Sequence, residues 1–177
     1  MIKTDTFVTK LGKEIEVCLA SPSRFILQHQ LELLPGWQTP IKLVLLFLQE
    51  SNISFQGSSR EIIVEKDRLR ANFWRFGANL IFALQDRGYQ SDLFDPRTGY
   101  PWLTQPGNTT LDDNAVVKAV LDYPAINYQS CSLLNHPIWG DRIYPGTIAT
   151  LAPPNVVKPL SKQLLVNLGL TLATFEV

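Results

Sequence analysis

The sequence predicts a single α+β domain, with a mixed, mainly antiparallel sheet flanked by helices. Three observations carry that prediction. Two short stretches of alternating apolar residues meet at a glycine near the N-terminus, a nearly continuous apolar run begins at Ile41, and from Asp67 onward apolar residues recur at three- and four-residue steps as far as Arg87. A chain of 177 residues with 45% hydrophobic content can bury one sizeable core. No internal repeat, low-complexity tract or charge block divides it, so residues 1–177 read as one domain.

The elements follow in order. "TFVTK" and "KEIEV" flank Leu11-Gly12 and form a β-hairpin, because glycine permits the tight turn between alternating strands. "SPSRFILQHQLELLPGW" has the serine start and apolar spacing of a short helix, closed at Pro35-Gly36. "IKLVLLFLQ" reads as a central strand covered on both faces, and "REIIVE" as its neighbour across a polar loop. The longest helix is expected from Asp67 to Arg87, with Asp67 capping its amides and Gly88 ending it in a left-handed conformation. Its stripe of Leu69, Phe73, Phe76, Leu80 and Leu84 faces the core.

Beyond that helix, "YQSDLF" is a strand, "DPRTGY" a turn and "PWLT" a short return. Thr110 and Asp113 have the spacing of a capping arrangement ahead of a second amphipathic helix in "NAVVKAVLDY". Strands around "QSCSLLN" and "TIATLA" are expected to complete the sheet. The segment 153–177 reads either as a helix beginning near Ser161 or as an apolar arm packing on a second subunit, and the arm is the favoured reading.

Composition excludes several functions. Sixteen basic residues balance sixteen acidic ones, so no long-range field draws nucleic acid or an anionic membrane. The N-terminus has no secretory pattern and the most apolar stretch is too short to span a bilayer, which points to a cytoplasmic protein. Two cysteines, Cys18 and Cys131, make no disulfide framework, and the sequon at Asn108 is then irrelevant to glycosylation. Phosphate-cradling and dinucleotide glycine motifs are lacking, and His29 and His136 have no metal-ligand spacing.

Cys131 is the one thiol that invites a second reading. An unpaired cysteine is often buried filler, yet Ser130 and Ser132 flank it, so it faces either the core or a polar cleft. His136 stands five residues away, which on a regular strand is the opposite face and a poor place for a catalytic base. That histidine more naturally ends the strand, its ring bonding to the backbone before Pro137. Cys18, between Val17 and Leu19, reads as core. Asp95-Pro96 with Gly99 is turn chemistry, Trp37, Trp74, Trp102 and Trp139 are core or interface anchors, and Arg68, Arg70 and Arg75 form a solvated face.

From Phe73 to Pro153 the chain resembles the methylmalonic aciduria and homocystinuria type D family of intracellular cobalamin-trafficking proteins. The resemblance rests on a helix ending in Gly88-Tyr89, the segment from Asp92 to Gly99 containing Asp-Pro-x-x-Gly, Asn108-x-Thr110-Leu111, and the His136-x-x-Trp139-Gly140 turn, in that order. It implies a nitroreductase-like scaffold without flavin, and an adaptor rather than an enzyme. It also implies work beside a cobalamin-processing partner of the type C kind, with cobalamin held transiently. Family members carry adjacent cysteines ahead of the His-x-x-Trp-Gly turn, the first implicated as a thiolate ligand to cobalt. Ser130 occupies that first position here and Cys131 the second, so the resemblance implies Cys131 as the cobalt ligand, with Ser130, His136 and Trp139 around the corrinoid. A homodimer exchanging the C-terminal tail is expected. The alternatives are a nitroreductase-like flavin or corrinoid reductase, and a dimeric interaction module without cofactor.

Overall fold

The computed structural model describes the backbone of residues 3–129 and 131–173, and the side chains of these except Lys3 and Cys131. The chain begins with the expected hairpin, β1 (Lys3–Val8) against β2 (Glu14–Ala20), reversed through a loop in which Gly12 takes φ +75. The expected short helix divides into α1 (Arg24–Gln28), capped by Ser23, and α2 (Gln30–Leu33), with the break at His29. Gln30 is buried and explains why the next segment folds back. Its amide nitrogen donates to the carbonyls of Trp37 and Thr39, and its oxygen accepts from the Ile41 amide. That loop delivers β3 (Leu43–Glu50), which is buried along almost its whole length.

The segment Arg60–Glu65 corrects the sequence reading. It is not a strand but the first turns of α3 (Arg60–Gln85), whose cap is Ser59, accepting from the Ile62 amide, rather than Asp67. The physical reason is periodicity: Ile62, Glu65 and Leu69 are buried at helical spacing, while Ile63 and Val64 are more than half exposed. Three consecutive β-branched residues resemble a strand, but only one of them faces inward. The stripe of Leu69, Phe73, Phe76, Leu80 and Leu84 is buried as expected, each side chain contributing about 1.5–3 kcal/mol by leaving water.

After Gly88, at φ +82, come β4 (Ser91–Leu93), α4 (Asp113–Leu121), β5 (Ala125–Tyr128), β6 (Cys131–Leu134), β7 (Ile143–Thr150), α5 (Pro154–Asn167) and β8 (Thr171–Leu172). The cap of α4 is Asp112, which accepts from the amides of Asn114 and Ala115, and not Thr110. The main sheet has the order β4-β7-β3-β2-β1-β8 and is antiparallel at every pairing. The place beside β3 expected of "REIIVE" belongs to β7, paired from Leu43↔Thr150 to Glu50↔Ile143. A second correction concerns "QSCSLLN": β6 does not complete the main sheet but pairs with β5 in a separate two-stranded hairpin.

Strand alternation divides the core into two. Ile15, Val17, Leu45, Phe47 and Ile148 face α3 and α5, with the Phe47 ring stacked 4.7 Å from Phe76. Cys18, Val44, Leu46, Leu48 and Ala149 face α1, α2, α4 and β6. Gly146 allows the close seating of α3 on the sheet, since a Cβ there would lie 2.7 Å from the Phe73 ring. The C-terminal segment opens with a helix starting at Pro154, ahead of Ser161, which packs on its own chain. Val157, Leu160 and Leu165 are buried in the chain's own core, Lys158 and Lys162 reach Asp5 of β1, and β8 pairs with β1. Proline at the first helical position explains the earlier start, because the amide it lacks would have had no helical partner. The rest of the tail lies outside the described residues, among which no helix is long and apolar enough to cross a membrane.

Candidate functional site

The 96–99 turn and the segment entering α4 come together around a cleft of about 560 Å³. Its walls are the early turns of α3, the 96–99 turn, the start of α4, β6 and the start of β7. Local chemistry explains why the chain turns there. Asp92 is fully buried on β4, and its carboxylate accepts from the amides of Leu93, Trp102, Leu103 and Thr104, tying the "PWLT" segment beneath the strand. That segment makes only an isolated bridge, Phe94↔Pro101, so Asp92 rather than a ladder holds it.

Asp95 forms the next corner. Its backbone carbonyl accepts from Thr98 and Gly99, and its carboxylate takes a bidentate pair from Arg70 of α3 at 2.6 and 2.7 Å. Burial pushes that carboxyl up, but the Arg70 guanidinium and the Arg97 amide outweigh it and hold it below the usual range. Gly99 sits at φ +73, where a Cβ would meet the Leu111 carbonyl at 2.5 Å, and its own carbonyl accepts from the Leu111 amide. The turn is thus pinned against the segment entering α4. The arginines expected on a solvated face are in part structural: Arg70 binds Asp95, and Arg68 binds Glu65, whose carboxyl is drawn down to about 2 by Arg68 against its burial.

Asp113 is the residue that sequence reasoning misjudged most. It is the first residue of α4 and 8% exposed, and its Oδ1 accepts from the Thr147 hydroxyl on β7. Burial pushes the carboxyl up to about 7, opposed by that hydroxyl and reinforced by Asp112 and Asp95. Nothing in the sequence distinguishes it from Asp112 beside it; only the contact with β7 does. Tyr144, from the same strand, is likewise raised by burial and by the Asp113 charge.

His136 and Trp139 lie away from this cleft, at the base of the β5–β6 hairpin. Backbone bonds between His136 and Gly140, with Gly140 at φ +62, close the turn. The His136 Nδ1 accepts from the amides of Ile138 and Trp139, so its ring proton sits on Nε2. Nε2 is 3.4 Å from Glu16 of β2 but is not aligned for a hydrogen bond with it. The Trp139 indole stacks on the imidazole at 3.8 Å, its Nε1 donating to Glu14, and Tyr123 meets the imidazole edge-on. Both rings are nearly sealed from solvent, at 2% and 3% exposure. The His136 ring does bond to backbone, but its partners, the amides of Ile138 and Trp139, come after Pro137 and not before it as expected, because the turn folds back over the ring.

The backbone of Cys131 opens β6 opposite Tyr128, at the turn end of the hairpin. Its side chain and the whole of Ser130 lie outside the described residues. The hairpin itself projects: β5 is largely exposed, and neither strand pairs with the main sheet. Cys18 is buried filler, its thiol pushed up to about 11 by burial despite the Thr4 hydroxyl at 3.3 Å. The four tryptophans do not share a pocket. Trp37 is core, Trp74 and Trp102 form an edge-to-face pair, and Trp139 stacks on His136.

Over 121 residues the chain is 26% identical to the human protein named cobalamin trafficking protein CblD and to its counterpart in Gallus gallus, and 25% identical to that of Rattus norvegicus. These alignments cover 67–68% of this chain and 40–41% of the relatives, so the match spans about two-fifths of their length. The profile of the methylmalonic aciduria and homocystinuria type D protein matches residues 4–162, almost the entire described fold. The chain belongs to the methylmalonic aciduria and homocystinuria type D protein family.

Proposed function

We propose that this protein handles cobalamin as cargo, receiving it from or presenting it to a cobalamin-processing partner in the cytoplasm, and acts as an adaptor rather than a catalyst. The observation that carries the reading is family membership, joined to relatives named for cobalamin trafficking. Geometry supports a surface encounter. The cleft has the size of small-ligand sites in general, about 300–1,000 Å³, whereas a corrin ring with its nucleotide tail is far larger. A corrinoid would therefore lie on the protein or between this protein and its partner.

The projecting hairpin is the element best placed for that encounter, and Cys131 is the residue proposed to meet cobalt. A thiolate is a soft ligand suited to the metal, and the hydroxyl of Ser130 is a poor one. His136 and Trp139 are too buried to touch a corrinoid while their turn is closed, so their proposed role is to fix the hairpin's base against β2. A type C processing protein is the proposed partner. The proposed homodimer would have to use surfaces outside the buried face of α5, which packs within its own chain.

The test is an absorption titration of oxidised and reduced cobalamin with the wild-type protein and Cys131→Ser, alone and with a processing partner. The expected result is a thiolate-type spectral change that vanishes in the variant. An unchanged corrinoid spectrum in every mixture would overturn direct coordination, and flavin absorbance in the purified protein would overturn the adaptor reading.

A further inference from the structure

The cleft holds an acid whose bonding is incomplete. Asp113 is more than nine-tenths buried in its wall, Oδ1 takes the Thr147 hydroxyl, and Oδ2 accepts no hydrogen bond among the described residues. The residue lines the cleft and keeps 8% of its surface exposed. A buried acceptor facing a cleft calls for a donor.

The surrounding charges choose among donors. Four carboxylates, Asp67, Asp112, Asp113 and Asp141, line the cleft against two cations, Lys66 and Arg97. Arg97 is bound to Asp67, and the Lys66 ammonium lies 5.2 Å over the Phe55 ring. The positive end of α4 is already answered by Asp112, which takes two of its free amides. The balance left over is negative, and it favours a cation. A metal ion does not fit: among the described residues no three acidic, histidine or cysteine side chains converge as ligands. Elsewhere in the wall Phe55, Ile63, Leu133 and Tyr144 are suited to a hydrocarbon stem.

We propose that this cleft is a binding site for an organic cation, an ammonium or guanidinium group on an apolar stem, seated on Asp113. The assignment does not depend on cobalamin handling. Two sources share this chemistry, a free amine or guanidine and the lysine or arginine side chain of a partner protein. Binding is pH-dependent, because the cation needs the ionised carboxyl and Asp113 is pushed up to about 7. The groups facing it are Asp112 on its own helix, Asp95 on the turn and Tyr144 on β7, while among the described residues β6 offers leucines to the cleft. Below neutrality a proton must be expelled first, so affinity falls as the pH drops through 7.

The experiment is a nitrogen-15 amide NMR titration of the full chain with agmatine, with a capped Gly-Gly-Arg-Gly-Gly peptide, and with the same peptide carrying citrulline. Saturable shifts of Thr98, Gly99, Asn114 and Tyr144 are expected with a guanidinium probe, with affinity at least tenfold weaker in Asp113→Asn and weaker by about thirtyfold at pH 5.5 than at pH 8. Ile63→Trp, which leaves Asp113 intact and crowds the exposed mouth, should weaken binding as well. Tighter binding of agmatine identifies a small-molecule site, and tighter binding of the arginine peptide identifies a partner's side chain. No saturable shift with either probe, equal binding of the citrulline peptide, or undiminished binding by both variants overturns the proposal.

Discussion

Replacing Asp113 by asparagine should make the protein more stable at pH 8 and slightly less stable at pH 4. The carboxyl ionises near 3.8 in the unfolded chain and only near 7 in the folded one, because burial opposes its charge. Between those values the native state binds the extra proton, so the group's effect on stability is most favourable below about pH 4 and is lost as pH rises to 7. At about 1.4 kcal/mol per unit, the difference amounts to roughly 4 kcal/mol at pH 8. Asparagine keeps the acceptor for Thr147 but buries an amide N–H pair that needs partners, at a cost of about 1–2 kcal/mol. A net gain of about 2 kcal/mol remains, read as a rise in the midpoint of urea unfolding. Other carboxylates, Glu65 and Asp95 among them, run in the opposite sense in both proteins and cancel in the comparison. A variant that is no more stable at pH 8, or whose difference from wild type is the same at pH 4 and pH 8, would refute the assignment of a raised carboxyl at this position.

Asp92→Ala should cost about 1–3 kcal/mol, since it leaves the amides of Leu103 and Thr104 without their acceptor. Hydrogen exchange should accelerate first at those amides; unchanged protection there would show that the carboxylate is not what holds the loop. Gly146→Ala should destabilise by about 1–3 kcal/mol, because the added methyl meets a fully buried Phe73 ring at 2.7 Å; a chemical-unfolding midpoint equal to wild type would mean that α3 lifts without strain. In a Cys131→Ser background, Cys18 should react with a thiol reagent only after denaturation, its thiol being buried and pushed up to about 11. Rapid labelling of the native protein would contradict its burial.

How legible each part was follows from whether its signal is local. The β1–β2 hairpin, β3 and the buried stripe of α3 are periodicities within one segment, and they appear where their residues place them. Ile62-Ile63-Val64 misled because β-branched composition competes with helical spacing, and the deciding fact, that Glu65 is buried by Arg68, Ser51 and the Asn52 amide, involves a distant loop. The same holds for β6, whose composition suits a strand but whose partner cannot be read from composition. At the candidate site, turn chemistry at Asp95 and Gly99 was legible. The roles of Asp92 and Asp113 were not, because each is defined by what it touches across the fold.

The motifs that carry the family resemblance are chiefly devices of shape. Asp92 and Asp95 hold loops, Gly99 admits Leu111, and Gly140 closes a turn beneath a projecting hairpin. Such residues constrain the scaffold more strongly than the chemistry at its edge, which leaves the hairpin free to carry its thiol at a different position. Cys131 is held by its pairing with Tyr128, as the first residue of β6. If cobalt is met there, moving the thiol by one residue in the double variant Ser130→Cys, Cys131→Ser should displace it from that position and lower apparent cobalamin affinity at least tenfold in the absorption titration. A stronger thiolate signal in the double variant would refute this: the scaffold would then still present the family's first position to the metal, with the wild-type chain lacking the ligand and serving the pathway through protein contacts alone.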